Sequence, residues 1–414
     1  MSDQNESNAN NSDYFRLLRK IIVLSGFNSL WYRESWSGKM IQLYCRIAAA
    51  IFFVKITLLN LYSIEVFRDI KRNWREIAFF LASTLTIDTT IQKFFILRTD
   101  AMQKLFREAF ALDNWIRRTP HEGIRKALKP LRDEVYKISI ILVLLFFTCF
   151  VCFCGAAIYF YMVGRACDLT DEQRNCERIL PWATMNFLNM ETQFGMSMLL
   201  HAIGISYIEF YVVAANIARF AVCVFPTFRL RRLNHVLENF DHYSRLLCEK
   251  EKISIRDGEY YVVRECIIEH QKIISDFTHL KANTKVLFFM DFLTMAIQLA
   301  PYPVIIMGTK NIDHIYFFAV TCLIFAFSDL LMIYWFAHYI VEESKAVQSS
   351  VFSSNWQEAD IRTKKMLLLI MIRSNRRLVL KVGPLYEMDL NIFLRIVKGM
   401  YTMITVFRQG TVNL

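Results

Sequence analysis

The stretch MLLLIMIRSNRRLVLKVGPLYEMDLNIFLRIVKGMYTMITVFRQGTVNL, residues 366–414, decides how the rest of the chain is read. An apolar run that collects charge toward its end, 367–377, passes through the turn signal Gly383-Pro384 into a second apolar segment, 392–407. That segment holds two cations, Arg395 and Lys398, both near its start, so it can cross a slightly thinned bilayer. On a helix advancing about 100° per residue, Val397, Met400, Tyr401, Ile404, Phe407 and Arg408 share one face and Arg395 lies opposite. A face of medium-sized apolar residues suits a ring of helices around a pore that closes by dewetting. It equally suits ordinary packing inside a bundle, which is the commoner outcome for one apolar face.

Working outward, the whole chain shares this character. Of 414 residues 55% are hydrophobic and 35 are Phe, and the mean hydropathy is +0.28, which is too apolar for a soluble domain of this length. Seven apolar segments emerge at 41–64, 77–97, 138–163, 194–225, 286–307, 315–341 and 392–407. The expected fold is therefore an all-α membrane protein with seven transmembrane helices. Its sections are an N-terminal segment 1–40, four spans in 41–225, a helical extension 226–285, two spans in 286–341, a further segment 342–391, and the last span with its tail in 392–414. The polar opening MSDQNESNANNSD has no apolar core, so the first span is expected to direct insertion itself.

Net charge is +11, but its distribution excludes a nucleic-acid partner, because the cations sit in loops between apolar runs. The loops on one side of the seven spans carry 34 Lys and Arg and those on the other carry 9. The positive-inside bias then places the N-terminus in the cytoplasm and the C-terminus outside. The loop 65–76 is discordant, with Arg68, Lys71, Arg72 and Arg75. Two sequons at 5–7 and 10–12 argue the reverse but arise by chance in an Asn/Ser-rich tail. A G-protein-coupled receptor has the opposite topology, and the chain lacks an Asp-Arg-Tyr-like end to its third span and any Asn-Pro-x-x-Tyr in its last.

Catalytic chemistry finds no footing: there is no Gly-rich phosphate loop and no His-Glu-x-x-His, so neither an enzyme, a metal site nor a cofactor is expected. Cys149, Cys152 and Cys154 lie on an apolar helix and read as packing residues. Cys167 and Cys176 are candidates for a disulfide, with two free thiols equally open. Asp88, His201, Glu209, Asp291 and Asp329, ionisable and inside spans, are functional candidates, and structural polar contacts are expected for the last three. With the topology above, the outer halves of spans two, three, four and six present Phe80, Ser83, Ile87, Phe153, Ala157, Tyr161, Met198, His201, Ile205, Phe318, Thr321 and Phe325. Such walls suit a small, mostly hydrophobic ligand, although each residue alone is as well explained by packing. Between 226 and 285, Leu230, Leu233, Val236, Leu237, Phe240, Val262, Cys266, Ile267, Ile273, Ile274 and Phe277 recur at helical spacing and require a protein surface to cover them.

The ending also carries a resemblance. Lys365, Leu369, Met371, Arg373-Ser374, Gly383, Leu390, Phe393, Lys398, Tyr401-Thr402 and Phe407 resemble the C-terminal signature of insect odorant receptors, as do chain length, span count and loop sizes. Asn375, Arg377 and Thr402 depart from it, standing where the family usually has Gln, Pro and Ser. The resemblance implies a subunit of a ligand-gated, non-selective cation channel, assembled as a tetramer with the odorant receptor coreceptor in a sensory-neuron plasma membrane. It implies volatile odorants in the outer-half pocket, a cytoplasmic anchor layer from 226–285 and 367–380, and the narrowest pore ring near Ile404 with Met400 inside it and Arg408 at the outer mouth. A gustatory receptor channel shares this topology, and an atypical seven-span G-protein-coupled receptor and a transporter are the alternatives of other classes.

Overall fold

The structure is a computed structural model that describes residues 20–26, 36–68, 74–119, 121–167, 194–299, 301–307 and 314–412. Over these residues the chain forms α1 (Trp36–Arg68), α2 (Trp74–Leu97), α3 (Asp100–Arg118), α4 (Glu122–Cys167), α5 (Phe194–Glu238) and α6 (Phe240–Glu251). There follow α7 (Ile255–Leu299), α8 (Pro301–Met307), α9 (His314–Ser353), α10 (Ile361–Ser374), the short strands β1 (Lys381–Val382) and β2 (Tyr386–Glu387), and α11 (Leu390–Val412). All seven apolar segments fall on helices, with 286–307 divided between α7 and α8. Residue 300, between them, lies outside the described residues.

The section borders read from composition fall inside α1, α5, α7, α9 and α11. The physical reason is that the apolar spacing continues past the membrane while the overall hydropathy drops. Leu230, Leu233, Leu237 and Phe240 are all buried, so one face of the chain beyond 225 still has a core to cover. By length and composition, three windows among the described residues can each cross a bilayer, Gly38–Thr57, Ser206–Glu238 and Ala319–Ser353.

The bundle is built around α5. Every residue from 211 to 230 is buried, which matches a sequence apolar on all sides rather than along one stripe. Helix α5 packs against α9, α4, α7 and α2. Peripheral α1 behaves differently: Cys45, Ala48, Ala49, Phe52 and Ile56 are buried, while Leu43, Ile47, Ile51 and Val54 are exposed. An outward apolar stripe of this kind suits acyl chains. Phe52 stacks on Tyr211 at 3.9 Å between centroids, and Phe53 meets Phe94 edge-on at 5.2 Å, which ties α1 and α2 to the central helix.

At the end of the bundle reached by residues 229–280, α3, α6 and the polar halves of α5 and α7 form a second layer. The periodic residues named from the sequence close it: Cys266, Ile273 and Phe277 are buried with Leu230, Leu233 and Leu237. Ion pairs frame that apolar seam. Arg229 Nε donates to Glu269 at 3.0 Å, Arg232 lies 2.8 Å from the same carboxylate, and Arg231 Nε donates to Glu343 at 2.7 Å.

The turn at Gly383-Pro384 joins β1 to β2, with Lys381 opposite Glu387 and Val382 opposite Tyr386. Gly383 has φ +54°, and a Cβ there would come within 2.8 Å of the Phe289 ring. Leu378 N–H donates to Ser344 Oγ at 3.1 Å, pinning the entrance of the hairpin to α9. Asp389 then starts α11 by accepting from Ile392 N–H at 2.9 Å.

Candidate ligand pocket and pore seam

The residues expected to line a pocket are distributed on four helices. Phe80, Ser83 and Ile87 lie on α2, Phe153, Ala157 and Tyr161 on α4, Met198, His201 and Ile205 on α5, and Phe318, Thr321 and Phe325 on α9. Helices α4 and α2 each pack on α5 and α9, and α5 packs on α9. Three of the twelve side chains lie within the described residues. Ile87 is buried, Phe325 is half-buried against the core, and half-buried Thr321 donates its hydroxyl to Phe317 C=O at 2.6 Å. The side chains of Phe80, Ser83, Phe153, Ala157, Tyr161, Met198, His201, Ile205 and Phe318 lie outside the described residues.

Beneath this level the bundle holds four charges. Arg219 on α5 donates to Asp291 on α7 and to Asp329 on α9. Lys93 on α2 donates to Asn216 at 2.8 Å and pairs with Asp291 at 3.1 Å. All four side chains are buried, and two cations face two carboxylates, so the group is neutral as a whole. That balance is what allows ionised groups to remain in an apolar interior. Structural contacts expected for Asp291 and Asp329 are present. Sequence reasoning does not single out their partners Arg219 and Lys93; the available signal is a cation inside an apolar run, where an unpaired charge is costly. Asp88 accepts from Asn60 at 3.1 Å, linking α1 to α2. Glu209 is different: its Oε2 is buried and has no hydrogen-bond partner among the described residues.

Helix α11 lies along α9 and α8. Phe393 is buried and meets the rings of Phe327 at 5.4 Å and Tyr334 at 6.4 Å. Of the expected pore face, Val397 and Met400 are half-buried against the bundle, while Tyr401 is 68% exposed. The Ile404 and Arg408 side chains lie outside the described residues. So do the Cys167 side chain and Cys176, the proposed disulfide. Among the described residues, Cys45, Cys223, Cys248, Cys266 and Cys322 form no disulfide.

The second layer contains a feature that periodicity did not signal, a cavity of about 610 Å³ between α3, α4, α5, α6 and α7. Trp115, Tyr243, Leu233, Val262 and Cys266 are among its walls, and the Arg232 guanidinium sits 5.1 Å from the Trp115 ring centroid. Burial pushes the Cys266 thiol up to about 12. Nearby on α7, burial, helped by Arg373, lowers His270 to about 4, so its imidazole is neutral at physiological pH. On α10 the exposed side chains of Ile361, Leu368, Leu369 and Ile372 form an apolar face.

Comparison with known proteins places this architecture. A family model described as 7tm odorant receptor matches residues 76–401. Odorant receptor 10 of Aedes albopictus is 30% identical over 152 residues, covering 36% of this chain and 39% of that protein. Odorant receptor Or2 of Anopheles gambiae is 25% identical over 152 residues, with the same two coverages of 36% and 39%. The match thus spans about two fifths of the length of these curated relatives. Among solved structures, the insect olfactory receptor OR5 of Machilis hrabei in complex with eugenol superimposes with a TM-score of 0.73 at 13% identity, over 96% of this chain and 100% of that one. The same receptor in a second structure gives a TM-score of 0.69 at 12% identity.

Proposed function

Because the chain belongs to the seven-transmembrane odorant receptor family, we propose that it is the ligand-binding subunit of an odorant-gated, non-selective cation channel, assembled with the odorant receptor coreceptor. The observation that carries this reading is the whole-length agreement of the helix arrangement with an insect olfactory receptor. The odorant enters the apolar space between the outer halves of α2, α4, α5 and α9. It stabilises an arrangement in which the α11 helices of neighbouring subunits separate, and the open state gains by the ligand's differential affinity. Ile404 forms the narrowest ring, and Val397, Met400 and Tyr401 line the path to it. The subunit spans the plasma membrane with its N-terminus in the cytosol, and the α10 face is the contact between subunits.

A ring of four Arg408 would disfavour cations, so coreceptor subunits dominate the conduction path. The test is whole-cell recording from cells expressing this chain with and without the coreceptor, against volatile esters, alcohols, aldehydes and terpenes. Odorant-evoked cation current that requires both chains and persists under G-protein blockade is the expected result. A response abolished by that blockade overturns the channel reading.

A further inference from the structure

We propose that Glu134 on α4, with Trp335 and Tyr339 on α9, forms a binding site for the ammonium head of an ethanolamine phospholipid. Such a site is independent of the odorant reading and needs only that the bundle cross a bilayer.

Helices α4 and α9 pack together. Glu134 stands four residues before the apolar segment that starts at 138, and Trp335 and Tyr339 stand in the last two turns of the one that ends at 341. The three therefore meet where the apolar layer gives way to polar surroundings, the level at which Trp and Tyr collect in membrane proteins. Under the topology proposed above, this is the cytoplasmic leaflet. Trp335 Nε1 donates to Glu134 Oε1 at 3.2 Å, and the Tyr339 hydroxyl reaches Oε1 at 3.1 Å and Oε2 at 3.2 Å. The two rings pack edge-to-face at 5.8 Å, so two neutral donors fix the carboxylate. Their two hydrogens fill two of its roughly four acceptor positions, and no ion pair to it occurs among the described residues. Arg231, whose charge reaches Tyr339, is engaged by Glu343. Glu134 is half-buried and Trp335 is 39% exposed, which leaves the site open to the outside of the bundle.

Neighbouring residues repeat the order of groups in such a lipid. Exposed Lys137 follows Glu134 by three residues on the same side of α4, about 4.5 Å further along the axis toward the apolar layer. It supplies the charge that a phosphate needs, one step inward from the ammonium. Ile141 and Leu144, both exposed, continue that side of α4 into the apolar layer. On α9, Ile324 and Phe317 lie eleven and eighteen residues before Trp335, close to three and five whole turns, so they share its side, and both are exposed. From the boundary inward the two helices thus present carboxylate, cation and apolar stripe, in the order of ammonium, phosphate and acyl chains. A primary ammonium brings N–H donors that the open carboxylate positions can use. A choline head has none, and a serine head brings a second carboxylate against Glu134.

The test uses the purified full chain in mild detergent with equal mole fractions of dioleoyl phospholipids that differ only in the head: ethanolamine, its N-methyl and N,N-dimethyl forms, choline and serine. Retained lipid is counted by native mass spectrometry. The wild type is expected to retain the ethanolamine lipid at least about tenfold over the choline lipid, with each added methyl lowering retention. Glu134→Gln, which still accepts from Trp335 and Tyr339, should abolish that preference, and Lys137→Gln should lower retention of ethanolamine and choline lipids alike. Equal retention of the two lipids by the wild type overturns the proposal, as does a preference that persists in Glu134→Gln. If that variant does not fold, the methylation series on the wild type decides. Displacement of the lipid by soluble O-phosphoethanolamine would give the site to a free head group and overturn the lipid assignment.

Discussion

Among the described residues, Arg219 is the only side chain that pairs with both buried aspartates at once, and the consequences of removing each partner differ. Asp329→Asn leaves Asp291 still shared by Arg219 and Lys93, whereas Arg219→Met leaves Asp329 without its partner among the described residues. Breaking a buried pair costs on the order of 3–5 kcal/mol when a charge is stranded. Arg219→Met should therefore lower surface expression and melting temperature of the purified protein more than Asp329→Asn, and the reverse order would refute the assignment. His270 supplies a second test. Its folded-state value is depressed, to about 4 from an ordinary 6.5, so the unfolded chain takes up the proton first as pH falls. The stability it contributes is fully present above 6.5, declines as pH drops toward 4, and changes no further below that. Denaturation midpoints measured from pH 7.5 to 4 should fall less steeply in His270→Phe.

The elements themselves were largely legible in the sequence, because each apolar segment is bounded by a loop dense in cations and no competing strand pattern intervenes. Gly383-Pro384 announced a turn, and the turn is there: its φ of +54° and the Phe289 ring behind it explain why glycine holds the position. Gly383→Ala should destabilise the hairpin by more than about 1 kcal/mol, since alanine is disfavoured at positive φ; amide exchange across 378–390 would report it. Asp389→Ala should cost about 1 kcal/mol at the start of α11 by removing its cap, with exchange increasing only over the first turn. What the sequence did not disclose were the partners. Lys93 and Asp291 are 198 positions apart, and pairing over that separation depends on which helices become neighbours, a three-dimensional matter that periodicity does not encode. The residues expected to line a pocket fall on four packed helices, and nine of their twelve side chains lie outside the described residues, so mutation is what separates a binding role from ordinary packing. The cavity beside Trp115 was illegible for a related reason, since an empty space has no residue of its own.

For the whole molecule, the topology proposal rests on the contrast of 34 against 9 Lys and Arg between the two sides. An epitope tag before residue 1 should be reached by antibody only after permeabilisation, and labelling of intact cells would invert the bundle. The exposed apolar face of α10 makes a separate demand, because Leu368 and Leu369 are too exposed to be stable in water without cover. Leu369→Glu should reduce co-purification with the coreceptor while leaving the monomer's helical signal intact; unchanged assembly would place the subunit contact elsewhere. Helix α5 sets the tolerance of the entire bundle. Since residues 211–230 are enclosed on every side, a saturation scan along this stretch should show uniform intolerance with no three-to-four-residue rhythm, whereas α1 should show that rhythm clearly. Variation among related receptors would then have to accumulate around an axle that cannot itself be retuned one position at a time.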